Sequence, residues 1–241
     1  MDIDSIKRLI NEGSIEYIKV GASDIEGVYR GKRVAAPFFL DSLSDGFAQC
    51  DVLFGWDIAE NVLPNLNASS WERGFADIIM KPDLSTFALV PWEKQVASCV
   101  CDLWTNDGEP VTVSPRYVLK NLIERARLMG YEAMIAAELE FRFFRENQMS
   151  LREKDFGPNL IPLNPGMNCY SISQASADDY LLGHIARMMR AYDIEIEGYN
   201  REHGPGLYEM NMHYSDALAA ADKTMLFKAG VKEICHQMGL T

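Results

Sequence analysis

Apolar and polar positions along the chain change their period near its middle. Ile6, Leu9 and Ile10 share one face of a helix over 4–12, and Gly13 stops it. Residues 15–34 then read as a hairpin. Ile15 and Tyr17 alternate with Ile18 and Val20, Asp24 to Gly27 supply turn chemistry, and Val28 to Val34 return. The pattern predicts another short helix over 37–47, an apolar and aromatic stretch without clear period over 48–58, and a loop over 62–74. Two short strands flank a Pro-Asp turn within 76–92, and 95–105 alternates as a strand.

The texture changes at Asn106-Asp107-Gly108. Ser114 and Pro115 stand as N-cap and first residue of a helix, with Val118, Leu119, Leu122, Ile123 and Ala126 as its expected buried stripe and Gly130 as its stop. A strand follows over 131–144, then a loop with three prolines over 147–169, a length at which loops are usually functional or mobile. Ser176 is the expected cap of a helix over 177–192. A strand covers 194–200, and Ser215 is expected to cap a helix running to Gly239. A strand-rich first part and an α/β second part predict an α+β fold with domains over 1–105 and 106–241.

Composition narrows the function classes. Of 241 residues, 48% are hydrophobic and 24% charged, an ordinary globular mix. The net charge of -12 argues against nucleic acid, since the densest basic stretch is only Arg30, Lys32 and Arg33. Five irregularly spaced cysteines give no zinc or disulfide framework, and Cys99 and Cys101, two apart on a strand, share one face and suit packing. A reduced, cytoplasmic setting is expected. The N-terminus lacks the apolar core of a signal peptide, and no run of about 18 apolar residues suggests a membrane span. The four histidines are scattered and read as helix-face or loop residues.

The candidate chemistry lies in the carboxylates. In Ala136–Phe141, "AAELEF", strand alternation puts Glu138 and Glu140 on one face, about 7 Å apart. In "NREHGPGLYEMN", Glu202 and Glu209 bracket Gly204-Pro205-Gly206, a turn that folds the two arms together. Like charges brought opposite one another are destabilising and call for a cation. Lysine or arginine could serve singly; several carboxylates without thiolates favour a hard divalent ion, Mg²⁺ or Mn²⁺. Two such ions would offset four carboxylates and suit phosphoryl transfer from a nucleotide.

These residues resemble the glutamine synthetase family, including its γ-glutamyl-amine ligase relatives. "VYRGKRV", "DLSTFALVPW", "DGEPVTVSPRYVLK", "AELEF", "EGYNREHGPGLYEMN" and "AADKTMLFK" follow in the family's order and spacing. The resemblance implies a β-grasp-like N-terminal domain followed by the first part of a catalytic α/β domain, this chain being the N-terminal half of such a protein. It implies that Glu140, Glu202 and Glu209 hold one divalent metal, that Glu138 serves a second, and that Glu197 lines the ATP site. Glutamate, ATP and ammonia or a small amine are the implied substrates, and stacked homo-oligomeric rings with intersubunit active sites the implied assembly.

Two positions depart from the family's pattern. Its Gln in G-Q-x-E is Leu207 here, which leans toward an acceptor other than ammonia. The acidic loop of ammonia-specific members lacks its Ser-Ser, leaving Asp51 or Asp57 as the corresponding aspartate. A non-catalytic structural or regulatory ring protein is the alternative reading, weakened by the retention of all the glutamates.

Overall fold

The structure, a computed structural model, describes every residue except Asn65, Asn67 and Ala68. That part of the loop expected over 62–74 lies outside the described residues. The chain divides into two compact units, Met1–Ala133 and Met134–Thr241. The α+β expectation holds in both.

The first unit opens with α1 (Ile3–Asn11), whose N-cap Asp2 accepts a hydrogen bond from the Ser5 amide, and Gly13 follows at φ +72°. β1 (Tyr17–Ser23) and β2 (Tyr29–Ala35) form the expected antiparallel hairpin. Its turn is organised by Asp24, which accepts from the amides of Glu26 and Val28 and from Arg30. Gly31 is dictated by close approach: a Cβ there would lie 1.9 Å from the Val20 carbonyl oxygen. α2 (Ala36–Asp41) is shorter than expected; turns over 42–45 and Gly46 (φ +82°) lead into β3 (Phe47–Cys50).

β4 (Asp77–Pro82), β5 (Ala88–Leu89) and β6 (Val96–Trp104) complete a sheet of order β2-β1-β6-β4-β3, with β5 also pairing β6. β6 runs parallel to β1 and antiparallel to β4, so its first six residues are all buried. Cys99 and Cys101 pack in this core as free thiols, and burial pushes Cys99 up to about 12.

α3 (Pro115–Leu128) begins where Ser114 and Pro115 predict, although the Ser114 side chain makes no cap bond. The expected apolar stripe is not buried: Val118 and Leu122 are exposed, and Leu119, Ile123 and Ala126 are half-buried. The helix is held by charge instead. The buried Arg116 guanidinium donates to Asp83 at 2.7 Å and Asp102 at 2.6 Å, and Lys120 pairs with Asp102 at 2.5 Å. Helical periodicity tells which residues share a face, and not what that face meets.

The second unit divides the strand expected over 131–144 into β7 (Met134–Ile135) and β8 (Glu138–Arg142). The expected loop over 147–169 contains α4 (Gln148–Glu153), started by a capping box between Asn147 and Ser150. Ser176 lies within a short α5 (Ile172–Ala177); the next helix, α6 (Asp179–Ala191), starts from Asp178. The Asp178 carboxylate makes no cap bond and instead accepts from Arg201 and Tyr208. β9 (Ile196–Arg201), β10 (Leu207–Met212) and β11 (Ser215–Asp216) lead into α7 (Ala217–Gln237), where Asp216 rather than Ser215 caps the helix by accepting from the Ala219 amide.

β8, β10 and β9 form an antiparallel sheet in that order, and β7 pairs β11. Leu181, Leu182, Ile185, Met189, Tyr208 and Met210 are fully buried in this unit.

Glu146, buried four residues past β8, fastens the segment that follows. It accepts from Lys154 and, at 2.7 Å, from the Ile161 amide. These partners, with Ser150, hold its carboxyl down at about 2. Because the folded value lies below the unfolded one of ~4.3, the stability from Glu146 is present above that pH and is lost as pH falls toward 2. In thermal melts from pH 7 to pH 2, Glu146→Gln should lower the Tm at neutral pH, and its deficit against the parent should shrink through that window.

Candidate functional site

Alternation across β8, β10 and β9 divides the second unit's sheet into two faces. On β10, Tyr208, Met210 and Met212 are buried, whereas Leu207, Glu209 and Asn211 are only partly so. On β8, Glu138 and Glu140 are exposed and the residues between and after them half-buried. Register decides what meets on the open face. Glu209 stands directly opposite Glu140 on one side and Asn200 on the other, and Asn211 stands opposite Glu138.

Glu202 follows β9 on the same face as Asn200. Asn200 Nδ2 donates to Glu202 Oε1 at 2.8 Å, and the His203 amide donates to Oε2 at 3.2 Å. The turn is tight: the Glu202 amide donates to the Leu207 carbonyl at 3.0 Å, and Gly206 has φ +65°. A Cβ on Gly206 would come within 2.7 Å of the Phe143 carbonyl oxygen, so glycine is required on both counts.

The backbone therefore gathers Glu138, Glu140, Glu202 and Glu209 on one face. The side chains are not drawn into a cage: among the described residues no three His, Cys, Asp or Glu side chains form a group that could hold a metal ion. The negative field is nonetheless felt locally. The Tyr170 phenol is pushed up chiefly by the charge of Glu202 and its hydrogen bond to it, with Glu209 adding to the effect. Partial burial, then Glu202 and Glu209, push up the Cys169 thiol. Among the described residues, the buried Oδ1 of Asn211 on this face has no hydrogen-bond partner. Next to Glu202 a surface cleft of about 510 Å³ is lined by Tyr170, Tyr199, Asn200 and Asp179, among others.

Glu197 lies toward the other end of β9 and is exposed, with its Oε1 2.6 Å from His213 Nδ1. This pair went unseen in the sequence, where the histidines read as scattered. A β-bulge after Asn211–Gly198 sets Met212 opposite Ile196, so His213 and Glu197 flank that pair, and this shift in register has no signal in the local sequence. In the first unit, Asp51 is buried and accepts from Ser69 Oγ at 2.8 Å, whereas Asp57 is half-buried and closes its own turn with Asn61.

Comparisons place this geometry among known proteins. Residues 112–241 match the family profile described as glutamine synthetase, catalytic domain. The chain is 39% identical over 237 residues to a glutamate–isopropylamine ligase of a Pseudomonas species, covering 98% of this chain and 51% of that protein. It is 34% identical to a type-1 glutamine synthetase 2 of Dictyostelium discoideum, covering 98% and 45%. A solved structure titled as a GmaS/ADP complex superposes with a TM-score of 0.79 at 25% identity, over 99% of this chain and 50% of that one. The chain thus spans about half the length of the curated relatives it matches.

Two carboxylates in direct cross-strand register repel one another when nothing lies between them. Glu209→Gln should therefore stabilise the chain in a chelating buffer by on the order of 0.5 kcal/mol, read as a raised Tm. Glu138→Gln, whose strand partner is Asn211 rather than a carboxylate, should raise it less.

Proposed function

Since the chain belongs to the glutamine synthetase family, we propose that it carries the metal-binding face of an ATP-dependent ligase joining the γ-carboxyl of glutamate to a small amine. The observation behind this reading is the register that sets Glu140 against Glu209, with Glu202 on the same open face. In this reading Glu140, Glu202 and Glu209 hold one Mg²⁺ or Mn²⁺, Glu138 contributes to a second, and Glu197 faces the nucleotide. The donor set fits hard divalent ions: the atoms are carboxylate oxygens, and the unpartnered Asn211 Oδ1 is a further oxygen on the same face. The side chains must swing together by rotation about their χ angles, for which the exposed Glu138 and Glu140 have room. When bound, such ions offset the carboxylate charge and stabilise the charge that develops on a transferred phosphoryl group.

The chain's own residues orient and hold. Asn200 and the His203 amide fix both oxygens of Glu202. The reaction in this reading passes the γ-phosphoryl of ATP to the glutamate γ-carboxylate, giving γ-glutamyl phosphate and ADP. The amine nitrogen then attacks the γ-carbonyl carbon, phosphate leaves, and the nitrogen loses a proton. The similarity to the solved GmaS/ADP complex supports a nucleotide in that role.

The acceptor we propose is an alkylamine. Leu207 lies two residues before Glu209 on the open face, where an apolar side chain favours an alkyl group and cannot hydrogen-bond a small polar nucleophile. The similarity to an isopropylamine ligase supports the same choice. The catalytic part in this reading begins after residue 106, in keeping with a profile match that starts at 112. Assembly into homo-oligomeric rings with shared sites belongs to the proposal as well.

Calorimetric titration of the full chain with Mn²⁺ should show saturable binding. Glu140→Gln, Glu202→Gln and Glu209→Gln should each weaken it by about tenfold or more, and unchanged binding in all three removes the assignment. Glutamate-dependent ADP release should be faster with isopropylamine or methylamine than with ammonia, and Leu207→Gln should narrow that preference. A faster rate with ammonia in the parent chain would remove the alkylamine assignment.

A further inference from the structure

Behind the open face lies a buried polar cluster that a purely apolar sheet core does not need. Arg201 and Tyr208 are direct cross-strand partners on β9 and β10, and both side chains point to the buried face, Arg201 at 4% exposure and Tyr208 at 0%. Both bond the same carboxylate oxygen. Asp178 Oδ2 accepts from the Tyr208 hydroxyl at 2.7 Å and from Arg201 Nε at 2.7 Å, with Arg201 Nη2 at 2.5 Å. Asn164, from the segment between α4 and α5, donates to the Tyr208 hydroxyl, and Arg201 Nη1 donates to Gln174 at 3.3 Å.

Burying an ion pair and a phenol in a core costs desolvation that well-packed apolar residues would not incur. What the cluster supplies is position. Arg201 is followed at once by Glu202, and Tyr208 by Glu209. Strand alternation makes the buried side chain and the open-face carboxylate next to it a rigid couple. A slip of one residue would turn both carboxylates into the core, and a small roll of either strand would separate them.

We propose that Asp178, Arg201 and Tyr208 are positioning residues for the cation-binding carboxylates Glu202 and Glu209. The cluster clamps β9 to β10 at the pair between the glutamates, so that both carboxylates face the open side as diagonal neighbours. The clamp reaches back through Asp178 to the head of α6, and through Asn164 to the segment before α5. This inference rests on the reading of the open face as a metal site.

The test is Mn²⁺ affinity, by calorimetry or by the paramagnetic resonance of free Mn²⁺, on the full chain at a temperature where every variant is folded. Tyr208→Phe keeps the ring and its packing and removes the hydroxyl; Asn164→Ala leaves the ion pair intact and removes one donor to the phenol. Tyr208→Phe should weaken Mn²⁺ binding by about tenfold, in the range seen when groups supporting metal ligands are removed, and Asn164→Ala should weaken it by a smaller factor. Arg201→Lys keeps the charge, loses the two-nitrogen grip on Asp178 and should bind no better than Tyr208→Phe. Affinities within twofold of the parent for Tyr208→Phe and Arg201→Lys, with Glu209→Gln still weakening binding tenfold or more, overturn the positioning role alone. Should Glu202→Gln and Glu209→Gln both leave Mn²⁺ binding intact, the metal-site reading fails and this inference with it. If Tyr208→Phe does not fold, Asn164→Ala decides the matter by the same twofold criterion.

Discussion

Everything on the open face of the second unit depends on the register of three antiparallel strands. A strand's side chains alternate with a period of two, so a register is also a choice of faces. With Glu209 opposite Glu140, and Arg201 opposite Tyr208, acidic groups collect on one side of the sheet and apolar or ion-paired groups on the other. The Gly-Pro-Gly turn sets this registry from one end, since Gly206 adopts a conformation and an approach that a side chain would obstruct. The buried Tyr208 and Arg201 set it from behind.

The first unit solves a different problem with the same means. α3 presents much of its apolar face outward, yet it is tied to the sheet by a buried guanidinium held between two carboxylates and by Lys120 alongside. Breaking one partner of such an arrangement leaves a charge in a poorly solvated place, so the tie is specific even where its net contribution to stability is small. Both units thus fix orientation with arginine–aspartate contacts that reach across the fold: Arg116 with Asp83 and Asp102, Arg201 with Asp178.

Local signals in the sequence carry much of the fold. The hairpin over 15–34, the strand at 95–105, the start of α3 at Pro115 and the long C-terminal helix follow from periodicity, glycine and proline. The four glutamates were legible because alternation fixes the faces of a strand and a Gly-Pro-Gly turn fixes the partner of an arm. Non-local competition was not legible. Ser176 looked like a cap, and the helix starts from Asp178, whose carboxylate in turn is claimed by residues more than twenty positions away. The apolar stripe of α3 has the period of a buried face and remains substantially exposed. The 147–169 segment concealed a helix because Asn147 and Ser150 make a polar capping box rather than an apolar pattern. The Asp178–Arg201–Tyr208 cluster is assembled from three distant positions with no common period, so no pass along the chain would have collected it.

The two-faced sheet has a consequence for how such a chain can diverge. Leu207 touches the open face from the end of β10, and the side chains that hold the strands in place occupy the opposite side. Substitutions at 207 and its open-face neighbours can therefore accumulate while the scaffold behind them stays under separate selection. A lineage built this way can change the molecules it accepts by small, nearly independent steps, each drawn from the wet side of the sheet, without passing through an intermediate that fails to fold.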